Sequence, residues 1–138
     1  MIKPSMNDQQ RAEILERVAD GYESERYQWI RKHLISLVAG KSGQHEIGYC
    51  VIGAINHELQ ISDEILGREY NQNIRANSPN HVYNQNIRDF IYSVGASIWG
   101  APAAEIYNFN DYPTRTKEEM IEALKNRAKD IRNGESND

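Results

Sequence analysis

The sequence has little of several features that mark large classes of protein. It holds a single cysteine, which excludes an intramolecular disulfide and a zinc site built from several thiolates. No stretch approaches the roughly 18 apolar residues of a membrane span, and the start lacks the basic and apolar regions of a secretory signal. Lys and Arg number 16 against 20 Asp and Glu, for a formal charge of −4, whereas a duplex-DNA binder needs a dense basic surface. These absences predict a cytoplasmic protein without a membrane partner.

Motifs of the common enzyme classes are missing as well. The sequence contains no glycine-rich dinucleotide loop, no Walker loop and no nucleophile elbow. It also lacks HExxH and CxxC pairs, and its 4 histidines are scattered along the chain. We therefore expect neither a cofactor nor a bound metal ion.

Apolar residues recur at intervals of three and four through most of the chain, which is typical of amphipathic helices. A length of 138 residues with 39% apolar positions fits one domain. The predicted helices cover 8–38 (one bent helix or two), 46–59, 62–77, 81–98 and 116–132. The last helix is the best marked, since Thr116 and Glu119 form a capping box at its start. The prediction is an all-α fold, a compact single-domain bundle of about five helices over residues 1–132, followed by a polar tail at 133–138.

Residues 47–55 form the least polar stretch, and their pattern fits a buried strand as well as a buried helix. Gly48, Gly53 and Ala54 are small enough for close contact between helices, and no second convincing strand is available for pairing. We therefore expect a central helix in this region.

A short internal repeat lies in the second half of the chain. The six residues from Tyr70 to Arg75 recur identically from Tyr83 to Arg88. The interpretation we favour is a duplication of packing positions on two neighbouring helices. The alternative is a polar binding face built from the Asn and Gln residues of the repeat. The candidate binding residues of this segment are Tyr70, Arg75, Tyr83 and Arg88. Their mixture of arginine and tyrosine also suits weak binding of single-stranded nucleic acid, although Glu69 and Asp89 partly offset the positive charge.

Cys50 is the only thiol in the chain and therefore the only possible cysteine nucleophile. On the expected helix it lies about 10.5 Å along the axis from His57, too far for a direct pair. Another histidine has to approach from a different element, and the candidates are His33, His45 and His81. A buried role in the core is the favoured interpretation, because free cysteine is among the most buried residue types. The alternative is catalysis by Cys50 with a distant histidine and Asp111.

The segment 108–116 is rich in turn-forming residues. Asn110 and Asp111 are able to bond nearby backbone amides, and Pro113 fixes a turn before the last helix. Arg115, next to a helix N-terminus, is a candidate for holding a phosphate. Because two glutamates already occupy that helix end, we favour a structural turn, with Asn110, Asp111 and Arg115 as candidate binding residues.

Two segments, Tyr49–Ile55 and Phe109–Glu119, resemble motifs of a family of small uncharacterised bacterial and bacteriophage proteins. The first is similar to an aromatic-Cys-Ala-Leu-Gly-Ala-Leu segment. The second is similar to a block that reads Trp-Asn-Asp, two variable residues, Gly-Arg-Thr and then a helix; this chain departs from it at Phe109 and Thr114. The resemblance implies a bacterial or phage protein of the cytoplasm and assigns no activity. The positions that match the motifs are Cys50, Gly53, Asn110, Asp111 and Thr116.

These observations lead to three functional hypotheses. The first is a non-enzymatic binding or interaction protein, expected to form a homo-oligomer. It would act as a phage-encoded accessory factor in the host cytoplasm, on a host protein or a small molecule. The second is a cysteine-dependent hydrolase or transferase that uses Cys50. The third is a weak binder of single-stranded nucleic acid.

Overall fold

Six helical segments and three strands occur in the residues that the structure, a computed structural model, describes: 6–40, 43–61, 63–66 and 79–134. The helices are α1 (Asp8–Glu23), α2 (Val51–Glu58), α3 (Asp63–Leu66), α4 (Pro79–Trp99), α5 (Ala103–Asp111) and α6 (Lys117–Arg132). The strands are β1 (Gln28–Trp29), β2 (Ile35–Ala39) and β3 (His45–Tyr49). The protein is therefore a mixed α/β structure, and the all-α prediction is wrong.

The three strands form one small sheet in the order β1-β3-β2, with β1 parallel and β2 antiparallel to β3. The predicted helix over 8–38 is wrong beyond Glu23, because the chain turns back there through Glu25, which has a φ of 62°. Residues in the left-handed region end a helix. The apolar stripe that continued the helical pattern belongs partly to β2, where Leu37 is 66% exposed and pairs with Ile47.

The predicted helix over 46–59 is half strand and half helix. Its first part is β3, the central strand, and α2 begins only at Val51. Of the two glycines that suggested close helix packing, one lies in the strand half and the other in the helix half. Gly48 lies on β3 under the side chain of Ile30, and a Cβ on Gly53 would strike the backbone carbonyl of Leu34. The close approach is thus between α2 and the loop that precedes β2.

Helices α1 and α6 pack along each other and form one layer of the structure. Their buried faces carry small and medium apolar side chains, among them Leu15, Val18, Leu124 and Ala128. Each helix begins with a capping box, and the predicted box of Thr116 with Glu119 is confirmed. Repetition of apolar residues every three or four positions buries one face of each helix against the other.

Helix α4 confirms the helix predicted over 81–98 and extends it at both ends. Pro79 occupies its first position, where the missing N–H of proline is tolerated. At its C-terminal end the carbonyls of Ile98 and Trp99 accept hydrogen bonds from the side chains of Arg11 and Arg127. Long-range arginine contacts therefore satisfy carbonyls that have no partner within the helix.

Two further predictions concern a helix over 62–77 and a turn over 108–116. Of the former, only α3 is described, and the remainder lies outside the described residues. The turn is shorter than expected, because Asn108–Asp111 forms the last turn of α5. Within the described ranges, no helix combines the length and apolar character needed to cross a bilayer.

Candidate functional site

Cys50 lies at the junction between β3 and α2, where it is the N-cap of the helix. Its Sγ accepts a hydrogen bond from the backbone N–H of Gly53 at 3.4 Å, and the residue is 5% exposed. An N-cap oxygen or sulfur satisfies one of the N–H groups left without a partner at the start of a helix. Cys50 therefore stands at the positive end of α2 and not within a helix as expected.

The buried side chain of Asn110 ties three separate segments together behind this junction. Its Oδ1 accepts hydrogen bonds from the Val51 N–H at 3.0 Å and the Trp29 Nε1–H at 2.7 Å. Its Nδ2 donates to the Ile30 carbonyl at 3.0 Å and to Asp111 Oδ1 at 2.9 Å. With donors and acceptor all engaged and no exposure, the Asn110 side chain anchors the structure at this junction.

Asp111 fixes the loop between β1 and β2. Its Oδ1 accepts the backbone N–H of Lys32 at 2.9 Å, and Lys32 has a φ of 71°. A side-chain-bearing residue in this region is uncommon and persists where its surroundings stabilise it. Since His33 follows Lys32 in the same loop, this hydrogen bond holds the backbone from which both side chains extend.

The Arg115 side chain packs on the end of α5. Its Nε donates to the Phe109 carbonyl at 3.0 Å, and its guanidinium lies 3.6 Å from the centre of the Phe109 ring. The neighbouring Arg31 donates to the carbonyls of Tyr112 and Arg115. Arginine thus crosslinks the 112–115 turn to the loop after β1.

An open cleft of about 210 Å³ lies in front of Cys50, and we call it the thiol cleft. It is lined by side chains from the loop, the α2 junction and helices α4 and α5: Lys32, His33, Cys50, Arg88, Tyr92, Tyr107 and Asp111. The Arg88 guanidinium lies 5.1 Å from the centre of the Tyr92 ring, and the Tyr107 ring meets Tyr92 edge to face at 5.9 Å. The wall on this side is therefore a continuous row of one guanidinium and two phenol rings.

Among the described residues that line the thiol cleft, positive charges outnumber negative ones, although the whole chain has a formal charge of −4. Lys32 and Arg88 supply two positive charges, and among the described residues neither forms an ion pair. Of the described lining residues, one carries a carboxylate, Asp111, and its Oδ1 already accepts two hydrogen bonds. The N-terminus of α2 adds partial positive charge.

A second polar group of side chains lies at the other end of α2. The Tyr49 hydroxyl donates to Asp63 at 2.6 Å and lies 3.0 Å from His57 Nδ1, while the Tyr27 hydroxyl donates to Glu58 at 2.7 Å. Burial, followed by these hydrogen bonds to carboxylates, raises the pKa of both tyrosines. In the part of the chain that is described, no three acidic, histidine or cysteine side chains are placed to hold a metal ion.

The structure separates the residues predicted from the sequence into three groups. Cys50, Arg88 and Asp111 line one cleft, whereas Asn110 and Arg115 lie behind it as structural supports. Tyr70, Arg75 and the side chain of Tyr83 lie outside the described residues. Of the three open candidates for a partner of Cys50, His33 lines the cleft and His45 is exposed on β3, whereas the side chain of His81 lies outside the described residues.

Sequence reasoning did not select Lys32, Tyr92 or Tyr107 for the site. They come from a loop and two helices that are distant in sequence, and no local motif joins them. The positive φ of Lys32 is not predictable from its residue type, because glycine and asparagine are the residues that usually indicate a positive φ.

The fold and the cleft define a mixed α/β protein with a single thiol at a strand-to-helix junction. The chain belongs to a family described as a family of unknown function (DUF6197), which matches residues 6–130. The predicted membership in an uncharacterised family is thereby confirmed. No curated protein and no solved structure matches the chain.

Proposed function

We propose that the protein binds a small ligand with a carboxylate or phosphate group in the thiol cleft. The observation that carries this proposal is the convergence of Lys32 and Arg88 on one cleft without an ion pair among the described residues. It narrows the first sequence hypothesis, which left a host protein and a small molecule open. The bacterial or phage setting and the homo-oligomer stay predictions.

The two cations suit an anion in complementary ways. Arginine presents a planar set of N–H groups that match the two oxygens of a carboxylate or phosphate, and packing on Tyr92 orients that plane. Lysine adds a compact point charge. The bond from the Lys32 N–H to Asp111 holds the lysine backbone before the ligand arrives, which lowers the entropic cost of binding.

The size of the cleft limits what it holds. A volume of about 210 Å³ is below the roughly 300–1,000 Å³ of common ligand pockets. The cleft therefore accommodates the charged end of a ligand, and the partly exposed rings of Tyr92 and Tyr107 offer an apolar surface for the part that follows.

Titration of the isotope-labelled protein with inorganic phosphate at constant ionic strength, followed by nuclear magnetic resonance, tests the proposal. We expect chemical-shift changes in the amides of residues 32, 33 and 50–53. Replacement of Arg88 by Gln should weaken phosphate binding about tenfold, since a hydrogen bond to a charged group contributes about 1.5–3 kcal/mol.

The matched control is Arg17→Gln, which removes an exposed arginine from α1 outside the thiol cleft. This variant should bind phosphate like the unmodified protein. Shift changes confined to other surfaces, or equal weakening by both substitutions, would contradict the proposal.

A further inference from the structure

We infer that Cys50 is the nucleophile of an acyl-transfer site, that His33 is its proton donor, and that the substrate is a small acyl ester with an anionic group. The charge of the substrate rests on the function proposed above, whereas the role of the thiol does not. This extends the second sequence hypothesis, a cysteine-dependent hydrolase or transferase, but it changes the role that the hypothesis gave to Asp111. Asp111 accepts two hydrogen bonds that fix the Lys32–His33 loop, so it is a positioning residue.

Polar groups lie around the Cys50 thiol on the side of the thiol cleft. Its Sγ accepts an N–H group at the start of α2, and the cleft in front of it is lined by Lys32, His33 and Arg88. Helix N-termini and neighbouring cations lower the pKa of cysteine, and reactive cysteines lie in such electropositive, partly accessible places. Cys50 also belongs to the cluster of buried side chains that forms the core, and it is 5% exposed.

The two proposed reacting groups are fixed relative to each other through one buried side chain. Asn110 binds the Val51 N–H, next to Cys50, and the Ile30 carbonyl, close to His33 in the loop. The missing Cβ of Gly53 allows the same loop to contact α2 directly at Leu34. A site whose supports are themselves hydrogen-bonded keeps its geometry without a ligand.

The reaction balances with water as the second substrate. The Cys50 thiolate attacks the acyl carbon, a C–S bond forms, and the C–O bond to the alcohol breaks. The departing alkoxide takes a proton from the protonated His33 imidazole. Water then adds to the thioester and gives a proton to His33, the C–S bond breaks, and the carboxylic acid leaves the regenerated thiolate.

Alkylation with a neutral and an anionic reagent tests the thiol and the charge separately. Since the chain has 1 cysteine, the intact mass reports Cys50 alone. We expect iodoacetamide to label the native protein at pH 7 at least as fast as the urea-denatured chain. We also expect the ratio of iodoacetate to iodoacetamide rates to be several-fold higher in the native state, to fall in Arg88→Gln and to persist in Arg17→Gln.

Acyl transfer is read from covalent adducts formed with 4-nitrophenyl hemisuccinate and 4-nitrophenyl acetate. The unmodified protein should form an acyl adduct on Cys50, faster with the anionic ester. Cys50→Ser should lose the adduct while staying folded, because serine is a strong N-cap residue. His33→Asn should slow hydrolysis of the acyl adduct, in which water gives its proton to His33, and shift the pH dependence of alkylation, whereas His45→Asn, an exposed histidine on β3, should do neither.

The outcomes separate the two proposals. A native Cys50 that iodoacetamide labels only after denaturation overturns the nucleophile and leaves phosphate binding to stand on its own titration. Labelling of the native protein without a charge preference overturns the anionic substrate. Fast alkylation without any acyl adduct overturns acyl transfer.

Discussion

The pair of helices α1 and α6 and the junction around Cys50 are stabilised in different ways. The helix pair buries apolar faces and carries its polar contacts at the surface, for example between Lys125 and Glu23 at 3.1 Å. The junction depends on buried hydrogen bonds from Asn110 and on direct backbone contact at Gly53. Apolar burial is tolerant of small shifts, whereas a buried hydrogen-bond network depends on geometry.

The comparison indicates a division between the two regions, because the helix pair contributes stability and the junction also positions the site. In the helix pair, stability comes from many similar apolar contacts. The loss of one contact therefore lowers the free energy of unfolding and leaves the rest of the structure unchanged. The junction holds the thiol cleft, so a loss there changes both stability and the position of the proposed reacting groups. The following predictions test that division, beginning with the largest expected effect.

Asn110→Ala should have the largest effect, because it leaves the Val51 N–H and the Trp29 indole N–H without an acceptor. We expect the free energy of unfolding in urea to fall by about 4 kcal/mol, at about 1–3 kcal/mol for each buried group left unsatisfied. The alkylation rate of Cys50 should change as well. Asn108→Ala, an exposed position on the same helix, is the control and should stay within about 0.5 kcal/mol. A loss as small in Asn110→Ala as in the control would remove the basis of the comparison.

Leu124→Ala, in the buried face of α6, should lower the free energy of unfolding by about 3 kcal/mol through a cavity. In contrast to Asn110→Ala, it should leave the alkylation rate of native Cys50 unchanged, because α6 does not line the thiol cleft. Lys125→Ala, exposed on the same helix, provides the control for stability. A changed alkylation rate in Leu124→Ala would show that the two regions are coupled.

Gly53→Ala should lower the free energy of unfolding by about 2 kcal/mol, since its Cβ meets the backbone carbonyl of Leu34, which has little freedom to move. Gly95→Ala in α4 is the matched control. Its Cβ would lie 3.0 Å from a side-chain methyl of Ile52, and the helical preference of alanine offsets the crowding by about 1 kcal/mol. Equal losses in the two variants would argue against a close approach specific to the junction.

Tyr22 connects the two regions, because its hydroxyl donates to the Tyr49 carbonyl at 2.8 Å. Burial, with a smaller contribution from Cys50, raises the pKa of Tyr22 in the folded protein. Its contribution to stability is therefore complete below the unfolded pKa of about 10 and is lost as the pH rises above it. Between pH 9 and 11, urea unfolding should show the unmodified protein losing about 1.4 kcal/mol more than Tyr22→Phe. Parallel pH profiles for the two proteins would contradict the raised pKa.

Thr116→Ala should have the smallest effect, a loss of about 1 kcal/mol, because it removes the side-chain cap of α6. Thr114→Ala, in the preceding turn, is the control and should be nearly neutral. As with Leu124→Ala, the alkylation rate of Cys50 should not change. Thermal unfolding is sensitive enough to separate these two threonines.

The same division explains how far the sequence predicts the structure. Helix α6 and its cap depend on residues three and four apart, and both were predicted correctly. The sheet was not predicted because it depends on pairing between β2 and β3, which the residues of β2 do not indicate. The apolar positions of β2 also fit a helical stripe. The turn at Glu25 and the backbone of Lys32 break that stripe, and neither residue type indicates a positive φ.

For the candidate site, the sequence indicated several of the residues but not their arrangement. Cys50, Asp111 and Arg88 were each singled out, for different reasons. Their convergence depends on Asn110, whose bond to Val51 spans 59 positions of the chain. A local pattern contains no information on such a contact, whereas the resemblance to family motifs selected Cys50, Gly53 and Asn110 together. These three residues make the junction.

The pairing of α1 with α6 also bears on how the chain assembles. Arg132 donates to Gln9 across 123 positions of sequence and pairs with Glu16 across 116. Closing so long a loop costs conformational entropy. Formation of the two helices alone does not offset this cost, because the contacts between them form only after the two ends of the chain have met. The two helices with the strongest local signals thus make one of the most distant contacts in the chain. The helices that are easiest to recognise in the sequence are therefore not required to be the first to pack together during folding.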